Sequence, residues 1–364
     1  MPERADGEFI GRHPSEAFPG HIRNTLDKVA VRQRGEIKVG CTRPVKDKHG
    51  YELPLFVLET CMDDQPFIVD TIKLVLKQLD VHVLGTLNMI LPIERDGDGK
   101  LLDISQDNPR SRAESFSCHL LSVASVGDRG LAIRDAVRWH LERARTIAGD
   151  FRQMRKLVSD LAHDLAFAAE DTPDGSDLRE ATAFGEWLID DNFVFMGAYG
   201  FDEQHRPTGR LGLGRYDEAA KAGIEGDPQA AFGPGAPLVS IYQSRQASPI
   251  HRDAPMVEIR LRLVDDAGRS AGGVVFVGLF TYKAVMGRAS TVPFLRRRLA
   301  AMVAAEDLVP ASHRLKVFLS FFDRLPLAFL FAADDKAVAE VVNDAIDVDF
   351  GGAPRVFYRL DEKG

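Results

Sequence analysis

The sequence predicts an α+β protein with two sheet-based units and part of a third. Three patterns support this prediction: a β-α-β-β-α order near the N-terminus, four consecutive strand-like segments in the middle, and a strand-helix-strand order at the end. A chain of 364 residues is long enough for two or three domains. The predicted divisions are an arm with a short helix (1–36), a first unit with a long helical extension (37–170), a second unit (176–290), a helical connector (291–325) and the start of a third unit (326–364).

The first unit opens with a strand and a helix. The mostly apolar run LPLFVLETCM, which starts at Leu53, suits a buried strand. Asp63 or Asp64 is then a candidate helix N-cap, and Pro66 suits the first turn. The apolar positions that follow recur at the spacing of one helix face: Ile68, Thr71, Ile72, Val75, Leu76 and Leu79.

Two further strands and a long helix complete the first unit. The runs VHVLGTLNMILPIER and SFSCHLLSVAS are strand-like. A helical region follows from Asp128 to about Ala169, and we expect a break near Gly149 and Asp150 because glycine weakens helices. Residues 21–33 also have helical spacing and predict the short helix of the arm.

The second unit is predicted to be an antiparallel sheet with flanking helices. Asp177, with Glu180 three residues later, is a capping-box pattern for a helix over 178–190. Four strand-like segments then alternate with polar turns, which is typical of strands joined as hairpins: NFVFMGAYGFD, PLVSIYQSR, MVEIRLRLVDDAG and GGVVFVGLFTY.

Helices and a short strand-helix-strand piece end the sequence. Thr291 and Pro293 mark the start of the helix TVPFLRRRLAAMVAAED, and Ser312 caps another that ends before Pro326. LAFLFA, DDKAVAEVVNDAI and RVFYRL then predict strand, helix and strand. Because such a piece is a poor core by itself, we expect the chain to be a fragment that continues beyond residue 364.

Charge and composition exclude several classes of protein. A net charge of -8 and a pI near 5.7 argue against nucleic-acid binding and against binding to anionic membranes. No apolar run is long enough for a membrane span, and the N-terminus has no signal-peptide pattern. The three cysteines have no paired spacing, which fits a reducing compartment. We therefore expect a cytoplasmic protein.

No motif predicts a catalytic, cofactor-binding or metal-binding residue. The P-loop, CxxC, HExxH and GxSxG patterns are absent from the sequence. GRLGLGRYD lacks the GxGxxG spacing and is interpreted as a glycine turn rather than a phosphate site. His119 lies in a strand-like stretch and His140 lacks a metal-like partner, so neither predicts a ligand. The run from Arg296 to Arg298 fans around its helix and predicts a solvated or interface-facing surface.

The segment MDDQPFIVD is the first candidate effector site. A buried strand turns there directly into a helix N-terminus, whose N–H groups can hold a ligand carboxylate. The candidate contacts are Asp63, Asp64, Gln65 and Pro66. The aspartates can instead fill the corner as caps, and spacing alone favours capping without a ligand.

The segment SRQASPIHRD is the second candidate effector site. It places Arg245, His251 and Arg252 in a polar insert between two predicted strands. These groups suit contact with an anion or an effector, although the favoured interpretation is a loop that is held by hydrogen bonds.

Five blocks of the sequence resemble a known family. DDQPFIVDTIKLVLKQLDVHV is similar to the N-terminal region of the large bacterial NAD-specific glutamate dehydrogenases. FGEWLIDDNFVFMGAYGFD resembles the next block, with Asn192 where that family usually carries histidine. Three further blocks follow in the family's order and extend the resemblance from about Leu53 to Phe331: SRQASPIHRDAPM, FVGLFTYKAVMGRASTVPFLRRRLAAMV and ASHRLKVFLSFFDRLP.

The resemblance implies both a fold and a function. It implies an ACT-like first unit, a PAS-like second unit and the start of a further ACT-like module. The parent enzyme would deaminate glutamate oxidatively to 2-oxoglutarate and ammonia with NAD, while this segment would be non-catalytic and bind no cofactor. Its partners would be the remainder of the same polypeptide, further copies of itself and an amino-acid effector. Phe67 stands where ACT ligand corners carry glycine, which argues against amino-acid binding.

Two alternatives remain open from the sequence. The chain could be a stand-alone ACT/PAS-type sensor of small molecules, or an enzyme of unrecognised type. The strand-helix-strand end argues against the first alternative, and the absence of a catalytic cluster from the sequence argues against the second.

Overall fold

The computed structural model describes residues 14–172, 175–204, 206–216, 235–264 and 270–349, together with residues 9, 11, 232 and 233. The chain divides into two compact units, Met1–Gly149 with Ser248–Asp253 and Asp150–Ala247 with Ala254–Gly364. Each unit contains a five-stranded antiparallel sheet, which confirms the α+β class. Among the described helices, none has the length and apolar character needed to cross a membrane.

The first unit has the sheet order β1-β2-β5-β3-β4. Its elements are α1 (Ala17–Val29), β1 (Lys38–Thr42), α2 (Lys46–His49), β2 (Phe56–Asp63), α3 (Ile68–Gln78), β3 (Val83–Arg95), β4 (Leu101–Ile104), β5 (Arg112–Leu121), α4 (Val123–Val126) and the first part of α5 (Gly130–Asp171). The predicted β-α-β-β-α order corresponds to β2, α3, β3, β5 and α5. Strands β1 and β4, which the sequence did not predict, are short and lie at the two sheet edges.

Both faces of the first sheet are covered. Leu58 and Met62 of β2 point into one core with residues of α3 and α5, such as Ile72 and Val137. Val57 and Cys61 point into the opposite core, to which α1 contributes Ala17. The alternation of side chains along β2 therefore explains why this strand is apolar along most of its length.

The second unit has the sheet order β7-β6-β10-β9-β8. It begins with the second part of α5, and its other elements are α6 (Ser176–Trp187), β6 (Phe193–Phe201), β7 (Pro207–Gly212), β8 (Val239–Ala247), β9 (Pro255–Val264), β10 (Ser270–Phe280), α7 (Tyr282–Met286), α8 (Leu295–Ala305), α9 (His313–Phe322), α10 (Leu327–Ala332) and α11 (Asp335–Asp349). The four predicted strands are β6, β8, β9 and β10. Strand β7 lies in the segment predicted to be a glycine turn.

Helix α5 and the segment LAFLFA also differ from the sequence-based expectation. Helix α5 is continuous through Gly149 and Asp150, so the predicted break is wrong. Ile147 and Met154 are fully buried on either side, and burial outweighs the roughly 1 kcal/mol that glycine costs a helix. LAFLFA forms α10 rather than a strand, with Leu327 and Leu330 buried at helical spacing. The predicted strand RVFYRL lies outside the described residues.

The helix starts show where capping rules succeed and fail. Ser312 caps α9 as predicted, by accepting a hydrogen bond from the Leu315 amide at 3.1 Å. Thr291 does not cap α8, because that helix begins at Leu295 behind Phe294, whose φ is 66°. The Glu180 carboxylate, predicted to cap its own helix, accepts the Phe294 amide at 2.7 Å instead.

The arginine run of α8 connects helices of the second unit. Arg296 pairs with Glu180 at 2.8 Å, Arg297 with Asp177 at 2.5 Å and Arg298 with Asp335 at 2.6 Å. Burial alone would raise the pKa of Glu180, but the bonds from Arg296 and from the Phe294 amide outweigh it and lower that pKa. Arg296 and Arg297 are exposed, which agrees with the predicted solvated or interface-facing surface, and all three arginines also form ion pairs.

The aromatic residues of α9 contribute to the core of the second unit. Phe318 and Phe322 are fully buried, while Phe321 is half-buried.

Candidate functional site

The strand-helix corner of the first unit lies between Asp63 and Ile68. Phe67 is the N-cap residue of α3 and adopts the left-handed conformation, with φ 73° and ψ 6°. A residue with a Cβ atom costs about 1 kcal/mol in this conformation, so surrounding contacts must hold it there. The Phe67 carbonyl accepts the first helical hydrogen bond, from the Thr71 amide at 3.1 Å.

Neither aspartate caps α3, so that prediction is wrong. No side chain caps the helix, because Asp63 and Asp64 still follow the strand. The Asp64 amide donates to the Ala113 carbonyl at 3.0 Å and thereby extends the sheet. The Asp63 carboxylate accepts from Arg32 at 2.5 Å and from the Gly35 amide at 3.0 Å. The Asp63 carboxylate is therefore bound away from the start of the helix.

A buried ion network holds Asp63. Arg32, which is 2% exposed, binds Asp63 and also Glu114, which in turn binds Arg95 at 2.7 Å. Burial alone would raise the pKa of Glu114, but the bonds from Arg95 and Arg32 lower this pKa to about 2. The sequence did not predict this network, because its members lie in separate elements and Arg32 falls in the predicted arm.

The insert Ser248–Asp253 contacts the corner within the first unit. The His251 ring lies 5.3 Å from the Phe67 ring, and its Nδ1 is 3.2 Å from the Asp70 carboxylate. The His251 amide also donates to the Thr71 hydroxyl at 3.4 Å. The two candidate sites, which the sequence suggested independently, therefore meet at His251.

Further contacts hold the ends of this insert. His140 of α5 hydrogen-bonds the Pro249 carbonyl, and burial lowers the pKa of that imidazole. Gln78 of α3 donates to Asp253 at 3.4 Å. The Arg252 amide is bonded to the Ile250 carbonyl within the insert, whereas Arg245 lies exposed on β8 of the second unit. Of the three predicted residues of this segment, His251 is the one whose contacts define the corner.

A cleft of about 310 Å³ opens beside the corner. The sequence suggested two of its wall residues, Asp64 and Gln65, as effector contacts, while Pro66 lies exposed outside the wall. The other lining residues come from α3 and from the adjacent strands: Phe67, Ile68, Val69, Asp70, Asn88, Met89, Ile90 and Ser115. Strand pairing brings β3 and β5 there, and sequence spacing gave no sign of that pairing.

The charge of the cleft is negative. Asp64 and Asp70 line it, and none of the lining residues is Lys, Arg or His. Partial burial raises the pKa of Asp64. The Gln65 side-chain nitrogen is buried without a hydrogen-bond partner among the described residues. The cleft therefore presents two carboxylates and no cationic side chain among its described lining residues, which disfavours an anionic ligand.

Comparison with known proteins shows that this corner lies in a segment similar to a domain of glutamate dehydrogenases. Residues 4–132 match the model of the glutamate dehydrogenase ACT1 domain, and residues 292–349 match that of glutamate dehydrogenase helical motif 1. This chain is a distant homologue of the NAD-specific glutamate dehydrogenases. The resemblance that the sequence blocks indicated is confirmed.

Two curated glutamate dehydrogenases show the extent of the likeness. The NAD-specific glutamate dehydrogenase of Halomonas elongata is 27% identical over 348 residues, which cover 90% of this chain and 21% of that protein. The enzyme of the same name from Pseudomonas aeruginosa is 25% identical over 351 residues, which cover 91% of this chain and 21% of that protein. The chain thus spans about a fifth of the length of these relatives.

The two matched parts of glutamate dehydrogenase correspond to observed elements. The ACT1 match includes α1, the first sheet, the corner and the start of α5. The helical-motif match covers α8 to α11, which agrees with LAFLFA being a helix.

Proposed function

We propose that this chain is a non-catalytic regulatory and assembly segment of an NAD-dependent glutamate dehydrogenase. The observation that carries the proposal is the order of the two matches, with an ACT1 domain first and helical motif 1 later in the chain. The parent polypeptide would convert glutamate to 2-oxoglutarate and ammonia with NAD, and this segment would bind neither substrate nor NAD. Its partners are the rest of the same polypeptide and further copies of it.

The second unit is proposed to be PAS-like. Its support is the strand order, in which the first strand, β6, lies beside the last strand, β10, at the centre of the sheet. Helix α6 precedes this sheet and helices α7 to α11 follow it, so the unit has the flanking helices expected from the resemblance.

Within this function, the ACT1 corner has a structural role: it holds the insert Ser248–Asp253 and does not bind an amino acid. The Phe67 ring and His251 contact each other where a glycine corner would leave the backbone open. Asp64 and Asp70 oppose the carboxylate of an incoming amino acid.

The experiment is to isolate the native polypeptide with an antibody against this chain, and then to measure its mass and its glutamate-dependent reduction of NAD. We expect a polypeptide about five times as long as this chain, from the share of the relatives that it spans, together with activity. The chain of residues 1–364, purified free of host dehydrogenase, is the matched control and should show no turnover.

A stand-alone ACT/PAS-type sensor is the competing function. A native polypeptide of the length of this chain, without activity, would overturn the proposal in favour of that sensor. Turnover by the isolated chain would instead show that the segment is itself catalytic.

A further inference from the structure

One face of the first sheet carries a buried polar cluster. Helix α1 covers this face, whose core residues include Val57, Phe116 and Leu120. Among them lie Glu59 of β2 and His21 of α1, which are 5% and 6% exposed. Burying an ionised carboxylate is costly unless strong partners surround it, so a carboxylate at this position needs an explanation.

Three side chains of metal-ligating type converge in this cluster. The His21 Nε2 atom lies 3.4 Å from a Glu59 carboxylate oxygen and 3.9 Å from the Cys118 sulfur. All three ligating atoms lie within 4.8 Å of one another. Cys118 is on β5, next to β2, so three separate elements each supply one ligand.

The spacing of these atoms suits a tetrahedral transition-metal ion. Zinc binds nitrogen, oxygen and sulfur at about 2.0 to 2.3 Å, which places neighbouring ligand atoms about 3.3 to 3.6 Å apart. The separations of 3.4 and 3.9 Å from the His21 Nε2 atom lie within a few tenths of an ångström of these values, and the separation between the Glu59 oxygen and the Cys118 sulfur is within 4.8 Å. The thiolate and imidazole select a borderline-soft ion over magnesium or calcium, which prefer oxygen ligands.

We propose that His21, Glu59 and Cys118 form a three-residue binding site for a divalent transition-metal ion, best suited to Zn²⁺. On binding, the Cys118 S–H bond breaks, a metal–sulfur bond forms and the proton passes to solvent. The thiolate and the Glu59 carboxylate then neutralise the two positive charges of the ion.

A cavity adjoins the cluster at Glu59, which is the one of the three residues in the lining of that cavity. It has a volume of about 290 Å³ and is lined in part by Glu59, Thr25 and Lys28. The Lys28 ammonium group lies 2.5 Å from Glu59, and its side chain is 33% exposed, so it can swing towards solvent when a cation replaces it. Three protein ligands leave the fourth position of a tetrahedral zinc ion to water, which is the arrangement of open zinc sites.

The sequence predicts no metal site here, because His21, Glu59 and Cys118 do not form a local motif with the spacing of metal ligands. His21, Glu59 and Cys118 lie far apart in the sequence, and pairing of β2 with β5 brings two of them together. His21 also stacks on Tyr51 at a ring distance of 5.0 Å, which fixes the imidazole plane.

The test is metal binding by the purified chain after removal of metal with a chelator. Zinc is added, excess is dialysed away, and bound metal is measured by mass spectrometry together with the melting temperature. We expect about one zinc ion per chain and a melting temperature that rises with zinc concentration. Cobalt in place of zinc should give thiolate-to-cobalt charge-transfer absorption.

Two variants and one control make the test specific. Cys118→Ala should lose the cobalt–thiolate absorption and weaken zinc binding at least about tenfold. Cys41→Ala, which removes a buried cysteine from the opposite core, should keep both. If Cys118→Ala does not fold by circular dichroism, His21→Gln replaces it, with the same expected loss of zinc affinity.

Absence of stoichiometric zinc from the wild-type chain would overturn the proposal. Equal zinc affinity in the folded ligand variant and in Cys41→Ala would do the same. In either case the cluster is a hydrogen-bonded core feature in which Lys28 neutralises Glu59.

Discussion

The His251 imidazole lies 5.3 Å from the Phe67 ring, and its Nδ1 atom is 3.2 Å from the Asp70 carboxylate. These contacts hold a distant segment of the chain against a residue in left-handed conformation. Glycine, the residue usually found in that conformation, would leave the corner without a ring to pack on. The ring contact therefore helps to offset the backbone strain at Phe67.

At position 67 we expect the glycine variant to be more stable than the alanine variant, which reverses the usual order of these two residues in a helix. Phe67→Ala loses the ring contact and keeps the left-handed strain, whereas Phe67→Gly loses the contact but relieves the strain. We expect Phe67→Gly to be more stable than Phe67→Ala by about 1 kcal/mol, measured by urea denaturation. At exposed Lys73, inside α3, the alanine variant should be the more stable one by about 1 kcal/mol. The same order at both positions would contradict the strain argument.

Loss of the Glu114 charge should destabilise the first unit strongly. Glu114→Gln leaves the buried guanidinium of Arg32 and that of Arg95 without their shared carboxylate. We expect the free energy of unfolding to fall by about 3 kcal/mol, measured by chemical denaturation. Asp135→Asn, which breaks an exposed pair with Arg134, should cost less than about 0.5 kcal/mol. Equal effects of the two substitutions would show that the buried network contributes little.

The Glu114 network should also make the free energy of unfolding depend on pH. The pKa of Glu114 is about 2 in the folded protein and 4.5 in a model compound, so the unfolded chain binds the proton more readily. Its contribution is therefore complete above about pH 4.5 and is lost as the pH falls towards about 2. The difference in the free energy of unfolding between wild type and Glu114→Gln is measured from neutral pH to about pH 3. We expect this difference to become smaller as the pH falls below about 4.5. A difference in the free energy of unfolding that does not change with pH would contradict the lowered pKa of Glu114.

Titration calorimetry should show no saturable binding of glutamate or aspartate at the corner. The carboxylates of Asp64 and Asp70 line the cleft and repel the ligand carboxylate. If charge is the reason, the double variant Asp64→Asn/Asp70→Asn should bind these amino acids more tightly than wild type. Saturable binding to wild type that disappears on Asp64→Ala, with unchanged circular dichroism, would instead establish a ligand site.

Neighbouring arginines of α8 should differ in their effect on stability. Arg298 binds Asp335 and also donates to the carbonyl groups of Leu330 and Ala333 near the end of α10. We expect Arg298→Ala to lower the free energy of unfolding of the second unit by about 2 kcal/mol in thermal denaturation. Arg297 pairs with the exposed Asp177, so Arg297→Ala should cost less than about 1 kcal/mol. A larger loss for Arg297→Ala would contradict this ranking.

Hydrophobic periodicity predicted those elements whose pattern is long enough to be unambiguous. Strand β2 and helix α3 follow from a continuous apolar run and a clear helical face. The six residues of α10 are compatible with the apolar spacing of a helix and with that of a strand. Strands β1 and β4 are too short to show a clear alternation of apolar and polar residues. Capping rules failed at Phe67 and Phe294, the residues before α3 and α8, where a backbone with positive φ takes the place of a side-chain cap.

The candidate site was predictable only in parts. Local spacing identified the corner and the His251 insert as separate segments, because each has its own pattern of turn residues and charges. The bonds of Arg32 to Glu114 and of His251 to Asp70 join residues from distant segments, and one sequence does not encode such pairings as spacing. The cluster of His21, Glu59 and Cys118 was missed for the same reason.

The assignment of Ser248–Asp253 to the first unit has a consequence for protein synthesis. A ribosome makes the chain from the N-terminus, so Gly149 emerges long before His251. During that interval the nascent corner has Phe67 in place but lacks the histidine that contacts it. The first unit can reach its final form only after most of the second sheet has been translated, and expression of Met1–Gly149 alone would give a domain permanently at that earlier stage.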